Sequence, residues 1–302
     1  MSRARIICVG HAALDHVFTV ETWPTGSAKI VASRLEESGG GMAANAAVAI
    51  ARLGADVAFW GPTGDDATAD IIEAQLRDEN VDVRNLKRLP GVRSSSSAVL
   101  IDARGERLVV GFRGEALRSP AQWLPLDTIA HADAVLVDVR WPEGAAAALQ
   151  AARANHVHAI LDGEVTPPEV LERLLSFAEH VVSSERGLSV LSAEVEAGLR
   201  LALARGATVA AVTRGEPGVL WIEEDAHTQL RHCPACAVNA VDTLAAGDVF
   251  HGAHALAIAQ GRGIEDAMRF ASVAAAIKCA RPGGRNGAPT LSEVETFVRN
   301  GC

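Results

Sequence analysis

Short apolar runs alternate with amphipathic helical stretches along almost the whole of this 302-residue chain. The runs at 6–9, 57–61, 134–139, 158–162, 180–184, 209–213 and 219–222 have strand length and are apolar on both faces. Helical periodicity fits 43–53, 67–79, 144–155, 168–177, 195–204, 249–260, 264–279 and 292–299. Strands apolar on both faces need a helical layer above and below, so the expected fold is α/β, a three-layer αβα sandwich around a mainly parallel sheet. Two regions break the rhythm. Residues 16–36 and 95–112 alternate with a period of two, and the second reads as a hairpin, 97–102 then 106–112, turned by Ala103-Arg104-Gly105. Such strands, inserted into a doubly wound sheet, would form a small β lid.

Composition narrows the function. Hydrophobic residues make up 49% of the chain and charged residues 22%, as in globular proteins. A net charge of −9 argues against nucleic acid or an anionic membrane as a partner. An anionic substrate must then be held by local arginines and backbone N–H groups. The only lysines are Lys29, Lys87 and Lys278, none in a G-x-x-x-x-G-K-[ST] loop, which speaks against a Walker-type ATPase. The start of the chain leads straight into the first apolar run and no run is long enough to span a bilayer, so a cytoplasmic protein is expected. Five scattered cysteines do not form a disulfide framework. Cys233-Pro234-Ala235-Cys236 beside His232 has half the ligands of a metal site and no second pair.

The richest stretch is Asp242-Thr243-Leu244-Ala245-Ala246-Gly247-Asp248. Ala245, Ala246 and Gly247 open a helix, and their N–H groups, at the positive end of the helix dipole, suit an anion. Asp248 lies in the first turn beside them. A carboxylate that takes a proton from a hydroxyl, next to N–H groups that hold phosphate charge, suits phosphoryl transfer. An isolated Asp in that place would simply cap the helix. Asp15, soon after the first strand, sits where open α/β sheets bind ligands. Ser38-Gly39-Gly40-Gly41 precedes another helix, with Asn45 one turn in. Thr213-Arg214-Gly215-Glu216-Pro217-Gly218 ends a strand, a loop through which glycines let backbone approach a phosphate. Arg140 ends another strand and is a fork for phosphate, sulfonate or carboxylate, with Arg113 a second candidate.

These stretches resemble the signatures of the ribokinase-like (PfkB) family of sugar kinases, from Ile6 to Pro289. Asp242–Asp248 is similar to its D-T-x-[GA]-A-G-D motif, Gly40-Gly41 with Asn45 to G-G-x-x-x-N, and Thr213–Gly218 to T-x-G-x-x-G. The resemblance implies one kinase domain over 1–302, with β-lid segments about 14–37 and 95–113. It implies Asp248 as catalytic base, with Ala245, Ala246 and Gly247 as the anion hole. Asp15, Gly40, Gly41 and Asn45 would bind the sugar, and Thr213, Gly215, Gly218 and Gly284 the nucleotide. ATP and Mg2+ are the implied cofactors, with a monovalent cation such as K+ near the 280–285 loop and a homodimer through the lid. The family's N-x-x-E is replaced: Ser184 stands at the Asn position and Gly187 at the Glu position, which leaves Glu185, acting through water, for the metal, with Asp162 and Glu164 as further candidates.

Within the family, the 137–141, 161–167, 247–253 and 281–285 stretches are similar to a branch that phosphorylates the 1-hydroxyl of 6-deoxy-6-sulfofructose. That likeness implies Arg140 on the sulfonate. Ala28 and Gly111 depart from it, and Met42 departs from the Lys common in ribokinases. The expected reaction is ATP-dependent phosphorylation of a primary hydroxyl on a ketose-type sugar. A ribokinase, fructokinase or nucleoside kinase of the same family is the alternative, as is, in another class, a non-catalytic sugar-binding regulator. A low aromatic content, 4% with no Tyr, disfavours a base-binding lid.

Overall fold

In the structure, a computed structural model, residues 3–299 are described apart from 24–25, 28, 104–106 and 225–228. The turn at Arg104-Gly105 and the departure at Ala28 lie outside the described residues. The chain runs β1 (Arg5–Val9), β2 (Ala13–Thr19), β3 (Arg34–Gly40), α1 (Met42–Arg52), β4 (Asp56–Gly64), α2 (Ala67–Asp78), β5 (Asp82–Leu89), β6 (Ser95–Ile101) and β7 (Arg107–Phe112). It continues through β8 (Ala134–Asp138), α3 (Pro142–Ala154), β9 (His158–Gly163), α4 (Pro168–Leu175), β10 (His180–Ser184), α5 (Glu185–Leu188), α6 (Val195–Ala204) and β11 (Val209–Thr213). It ends with β12 (Val219–Glu223), β13 (Arg231–Cys233), α7 (Ala246–Ala259), α8 (Ile264–Cys279) and α9 (Leu291–Arg299).

Nine strands form one sheet in the order β13-β12-β11-β10-β9-β8-β1-β4-β5. The strands from β5 across to β11 are parallel, and β12 and β13 close one edge antiparallel. The expected αβα layering is therefore present. One apolar cluster joins the sheet to α1, α7 and α8, and a second joins the other face to α3, α4 and α6. β5 was not expected as a strand. Buried Val83 and Leu86 beside exposed Arg84 and Lys87 suit a strand at the edge of the sheet.

The irregular regions make a second sheet, β3-β2-β6-β7, in which β2 runs parallel to β6 and antiparallel to β3. Its outer strand β7 is exposed along its whole length, including Leu108, Val109, Val110 and Phe112. Among the described residues no helix is long and apolar enough to cross a membrane.

The carboxyl edge of the large sheet is fastened by Asp138, which is 1% exposed. Its Oδ2 accepts from the N–H of His11 at 2.8 Å and of Ala43 at 3.0 Å, and its Oδ1 from that of Arg140 at 2.8 Å. One carboxylate thus ties the loop after β1, the start of α1 and the loop after β8. Replacing it leaves three N–H groups without that acceptor. Asp138→Ala is expected to lower the unfolding free energy by about 3 kcal/mol, measured by urea unfolding. A loss under about 1 kcal/mol would mean that other acceptors replace the carboxylate.

Candidate active site

The N-termini of α1 and α7 converge on this edge. Gly41 caps α1 with φ +92°, and a Cβ there would lie 2.4 Å from the His11 carbonyl oxygen. A Cβ on Gly40 would lie 2.5 Å from the Asp15 carboxylate. The glycines therefore let backbone pass where any side chain would collide. Asp15 lies on β2 of the small sheet, not on a loop of the large one, and accepts a short bond from the Ser97 hydroxyl. Burial raises its pKa, opposed by Ser97, Arg285 and His16.

Asn45, 6% exposed on α1, donates from Nδ2 to Asp248 Oδ2 at 2.7 Å. Its Oδ1 is buried with no hydrogen-bond partner. That oxygen can accept from a ligand hydroxyl lying beside Asp248. The half-buried Asp248 has its pKa pushed up to about 7, chiefly by burial and then by the Asp162 carboxyl, against the Asn45 hydrogen bond. A carboxyl so tuned exchanges protons near neutral pH.

Ala245 holds the left-handed conformation, φ +63°, that turns the chain into α7. The Ala246 N–H bends back to the Thr243 carbonyl at 3.3 Å. The N–H groups of Ala245 and Gly247 are the freer donors of the expected hole. Behind this turn, Asp242 Oδ1 accepts from the Leu244 N–H at 2.8 Å and Oδ2 from the Gly284 N–H at 2.9 Å. Gly284 was expected at the nucleotide; here its N–H serves Asp242, and it packs against Leu244 and Ser38.

Thr213, Gly215 and Gly218 line a cleft of about 710 Å³ together with Ala246, Gly247 and Phe250. The Gly218 N–H closes a turn onto the Gly215 carbonyl at 3.0 Å, so the loop presents backbone to the cleft. Cys236 lines the same cleft. Cys233 has a free thiol on β13 and His232 Nε2 donates to the Pro217 carbonyl at 2.8 Å, so no metal is gathered by that trio. Cys236 is disulfide-bonded, a correction to the expectation from scattered cysteines.

Glu185 opens α5 and pairs with Arg214 of the glycine loop at 2.7 Å. Ser184 caps α5 by accepting from the Gly187 N–H at 2.9 Å. A Cβ on Gly187 would lie 2.0 Å from the Gly163 carbonyl oxygen, so the backbone here has no room for a Glu at that position. Asp162 is 4% exposed at the end of β9, and its pKa is driven well up by burial, Asp138 and Glu164. Carboxyls that raise one another's pKa are an oxygen donor set suited to a hard cation such as Mg2+.

Arg140 donates to the Val165 carbonyl at 2.7 Å. Arg113 has its pKa lowered first by Arg140, and both depress the His11 imidazole, which burial above all lowers to about 4. Among the described residues neither arginine has a carboxylate within ion-pair distance. Gly111, facing Ser97 across the small sheet, has open space where a side chain would stand.

Sequence reasoning passed over Lys278. Fully buried on α8, its ammonium lies 3.0 Å from Asp242 Oδ2 and donates to the carbonyls of Asp242 at 2.6 Å and Arg281 at 3.3 Å. The signal was present: a lone Lys after the apolar run Ala274–Ile277, among only three in the chain.

Residues 3–291 match the pfkB family of carbohydrate kinases. A ribokinase of Bacillus subtilis is 30% identical over 297 residues, spanning 97% of this chain and 99% of the relative. A solved structure from Agrobacterium tumefaciens, described provisionally as a ribokinase, is 42% identical with a TM-score of 0.94, over 99% of this chain and 98% of that one. The Thermotoga maritima ribokinase structure is 25% identical with a TM-score of 0.85, over 99% and 100% of the two chains. The chain belongs to the pfkB family of carbohydrate kinases and is an ATP-dependent sugar kinase.

Proposed function

We propose that the protein transfers the γ-phosphoryl group of ATP to a primary hydroxyl of a ketose-type sugar with an anionic tail, 6-deoxy-6-sulfofructose phosphorylated at its 1-hydroxyl being the leading candidate. The observation that carries the tail is the Arg113–Arg140 pair. Two like charges facing one another without a carboxylate are costly unless an anion joins them. They flank the 10–12 loop, whose His11 carbonyl abuts Gly41 on the sugar side. A second reading, a neutral pentose, has support from Asp15, Gly40, Gly41 and Asn45, which suit any polyol, and from the relatives named ribokinase.

In this reading Asp248 takes the proton from the attacking hydroxyl, which Asn45 Oδ1 and Asp15 help to orient. The N–H groups of residues 245–247 hold the charge that develops on the transferring phosphate. The nucleotide lies in the cleft lined by Thr213, Gly215 and Gly218. Mg2+, held through water near Asp162, Glu164 and Asp248, supplies charge neutralisation; Glu185 is tied to Arg214 and fits this role less well. The whole chain, 1–302, acts as one kinase domain with the small sheet as a lid that excludes water. The exposed Leu35, Leu108, Val109, Val110 and Phe112 on that sheet support a homodimer through the lid.

A K+ ion does not fit where one was expected. The oxygens near the 280–285 loop, from Asp242 and Arg281, are already held by the Lys278 ammonium. The tethered cation would brace the anion-hole turn in place of a diffusible one.

Four outcomes test the reading. With Asp248 titrating near 7 and active as the anion, kcat/KM should be flat above that pH and fall about tenfold per unit below it. Asp248→Asn should cut kcat by about 10²–10⁴-fold with sugar binding retained; binding without any turnover in the parent protein would instead indicate a regulator. For the tail, ADP release is measured with sulfofructose, fructose, fructose 6-phosphate, tagatose, ribose and nucleosides. Turnover should favour the anionic sugars, and Arg140→Met should raise their KM by about tenfold or more while leaving neutral sugars unchanged. Turnover confined to neutral sugars would discard the tail and keep the kinase. For the cation, rates in K+, Na+ and tetramethylammonium buffers should agree, whereas Lys278→Met should lose most turnover. Strong activation by K+ would refute the tethered-cation account.

A further inference from the structure

The opposite edge of the large sheet carries a second cluster of ligating side chains. β9 begins with His158, β10 begins with His180, and Glu179 immediately precedes β10. Parallel pairing of neighbouring strands places these residues side by side, at the end of the sheet remote from Asp248. His158 Nδ1 lies 3.0 Å from Glu179 Oε2, and His180 Nε2 lies 3.9 Å from Glu179 Oε1. One ligand atom from each residue falls within 4.8 Å of the others. They line a groove of about 350 Å³ that opens to solvent.

We propose that His158, Glu179 and His180 bind one divalent metal ion of the Zn2+ class. Two imidazoles and a carboxylate are a three-ligand set that leaves a position for water or another donor. Tetrahedral ligands at bond lengths of about 2.0–2.1 Å lie roughly 3.3 Å apart, so small side-chain rotations close the site. His180 is 3% exposed, and burial, opposed by Glu179, lowers its pKa to about 4, so it is neutral and carries a free lone pair at physiological pH. His158 is held protonated more strongly than usual by its Glu179 bond, and a metal would displace that proton.

An ordinary ion pair accounts for His158 and Glu179 alone. It does not account for a buried His180 facing the same carboxylate, nor for what stands behind it. His254 on α7, 0% exposed, sets its Nε2 3.4 Å from His180 Nδ1, and its own Nδ1 has no partner. Ligation through His180 Nε2 places the hydrogen on Nδ1, where His254 Nε2 accepts it. That is the outer partner a ligating imidazole needs. Glu224 lines the groove and adds negative charge, as does Asp133 beside His158, whereas the neighbouring Glu223 is paired with Arg231 at 2.5 Å. Arg262 also lines it, with its guanidinium over the Phe270 ring at 4.3 Å and its Nε on Gln260.

This site is independent of the sugar and of the kinase reading. Chelator-stripped full-length protein is titrated with Zn2+ by calorimetry and with Co2+ by visible absorption. The parent protein should bind one equivalent, show the ligand-field bands of four-coordinate Co2+, and gain thermal stability with Zn2+. His158→Ala and Glu179→Gln should each weaken binding at least tenfold and lose the bands and the stabilisation; Asp248→Asn should keep all three. His158 is half-exposed, so its variant remains informative should His180→Ala fail to fold. Equal Zn2+ uptake by the parent and both variants would place the metal elsewhere, such as on the Cys233 and Cys279 thiols, and overturn the assignment. Absence of binding by the parent would also overturn it.

Discussion

The 2.7 Å hydrogen bond from Asn45 to Asp248 joins two helix N-termini that the chain delivers from residues 203 positions apart. α1 enters from the small sheet through the glycines, and α7 enters from the left-handed turn at Ala245. Each helix start is anchored by a carboxylate: Asp138 takes the Ala43 N–H, and Asp242 takes the Leu244 N–H just ahead of α7. The bond engages one Asp248 oxygen, Oδ2, and does not involve the other.

Electrostatically this edge is crowded. Asp138 raises the pKa of Asp162, and Asp162 and Asp138 raise that of Asp248, in a protein already at net charge −9. Burial makes each charge dearer still, so compensation has to be local. Asp138 is compensated by three N–H groups, and Asp242 by two N–H groups and the Lys278 ammonium, which keep its pKa below the usual range despite burial. Asp248 has one such donor, the Asn45 amide, but burial outweighs it, as burial also prevails at Asp162, and both pKa values rise. The contrast separates carboxyls that hold the scaffold from carboxyls that remain free to change protonation state.

Much of this was legible in the sequence. The strands at 180–184 and 209–213 and the helices at 195–204 and 264–279 have the expected bounds, because apolar runs of strand length and helical periodicity are local properties. α7 begins at Ala246, within the small residues expected to open it, although the apolar periodicity starts only at Val249. β5 was hidden by its charged outer face. Asp15 was placed near the right edge and within the expected lid segment, but its Ser97 partner was not foreseen, since pairing of β2 with β6 joins residues 82 positions apart. The roles of Asp138, Asn45 toward Asp248 and Lys278 depend on such long-range meetings, which no spacing encodes. Gly187 shows the reverse: a departure from a motif that looked like a loss is explained by the Gly163 carbonyl standing in the space a side chain would need.

α7 shows how far one helix can be committed to polar tasks inside a core. It is buried along nearly its whole length between α1 and α8, yet it carries Asp248, His251 and His254 at three-residue intervals. That spacing sets them along one side of the helix, facing the strand ends in turn. His251 Nε2 donates to the Val182 carbonyl at 3.2 Å, which can only accept, so its Nδ1 presents a lone pair 3.4 Å from Asp162 Oδ2. Burial keeps this imidazole neutral, and the neutral acid form of Asp162 is the one that can donate to it. One turn further on, His254 reaches His180 at the far edge of the sheet. An apolar residue at either histidine would pack as well. The imidazoles instead fix the rotation of α7 against β9 and β10 through directional contacts, and with it the direction in which Asp248 points.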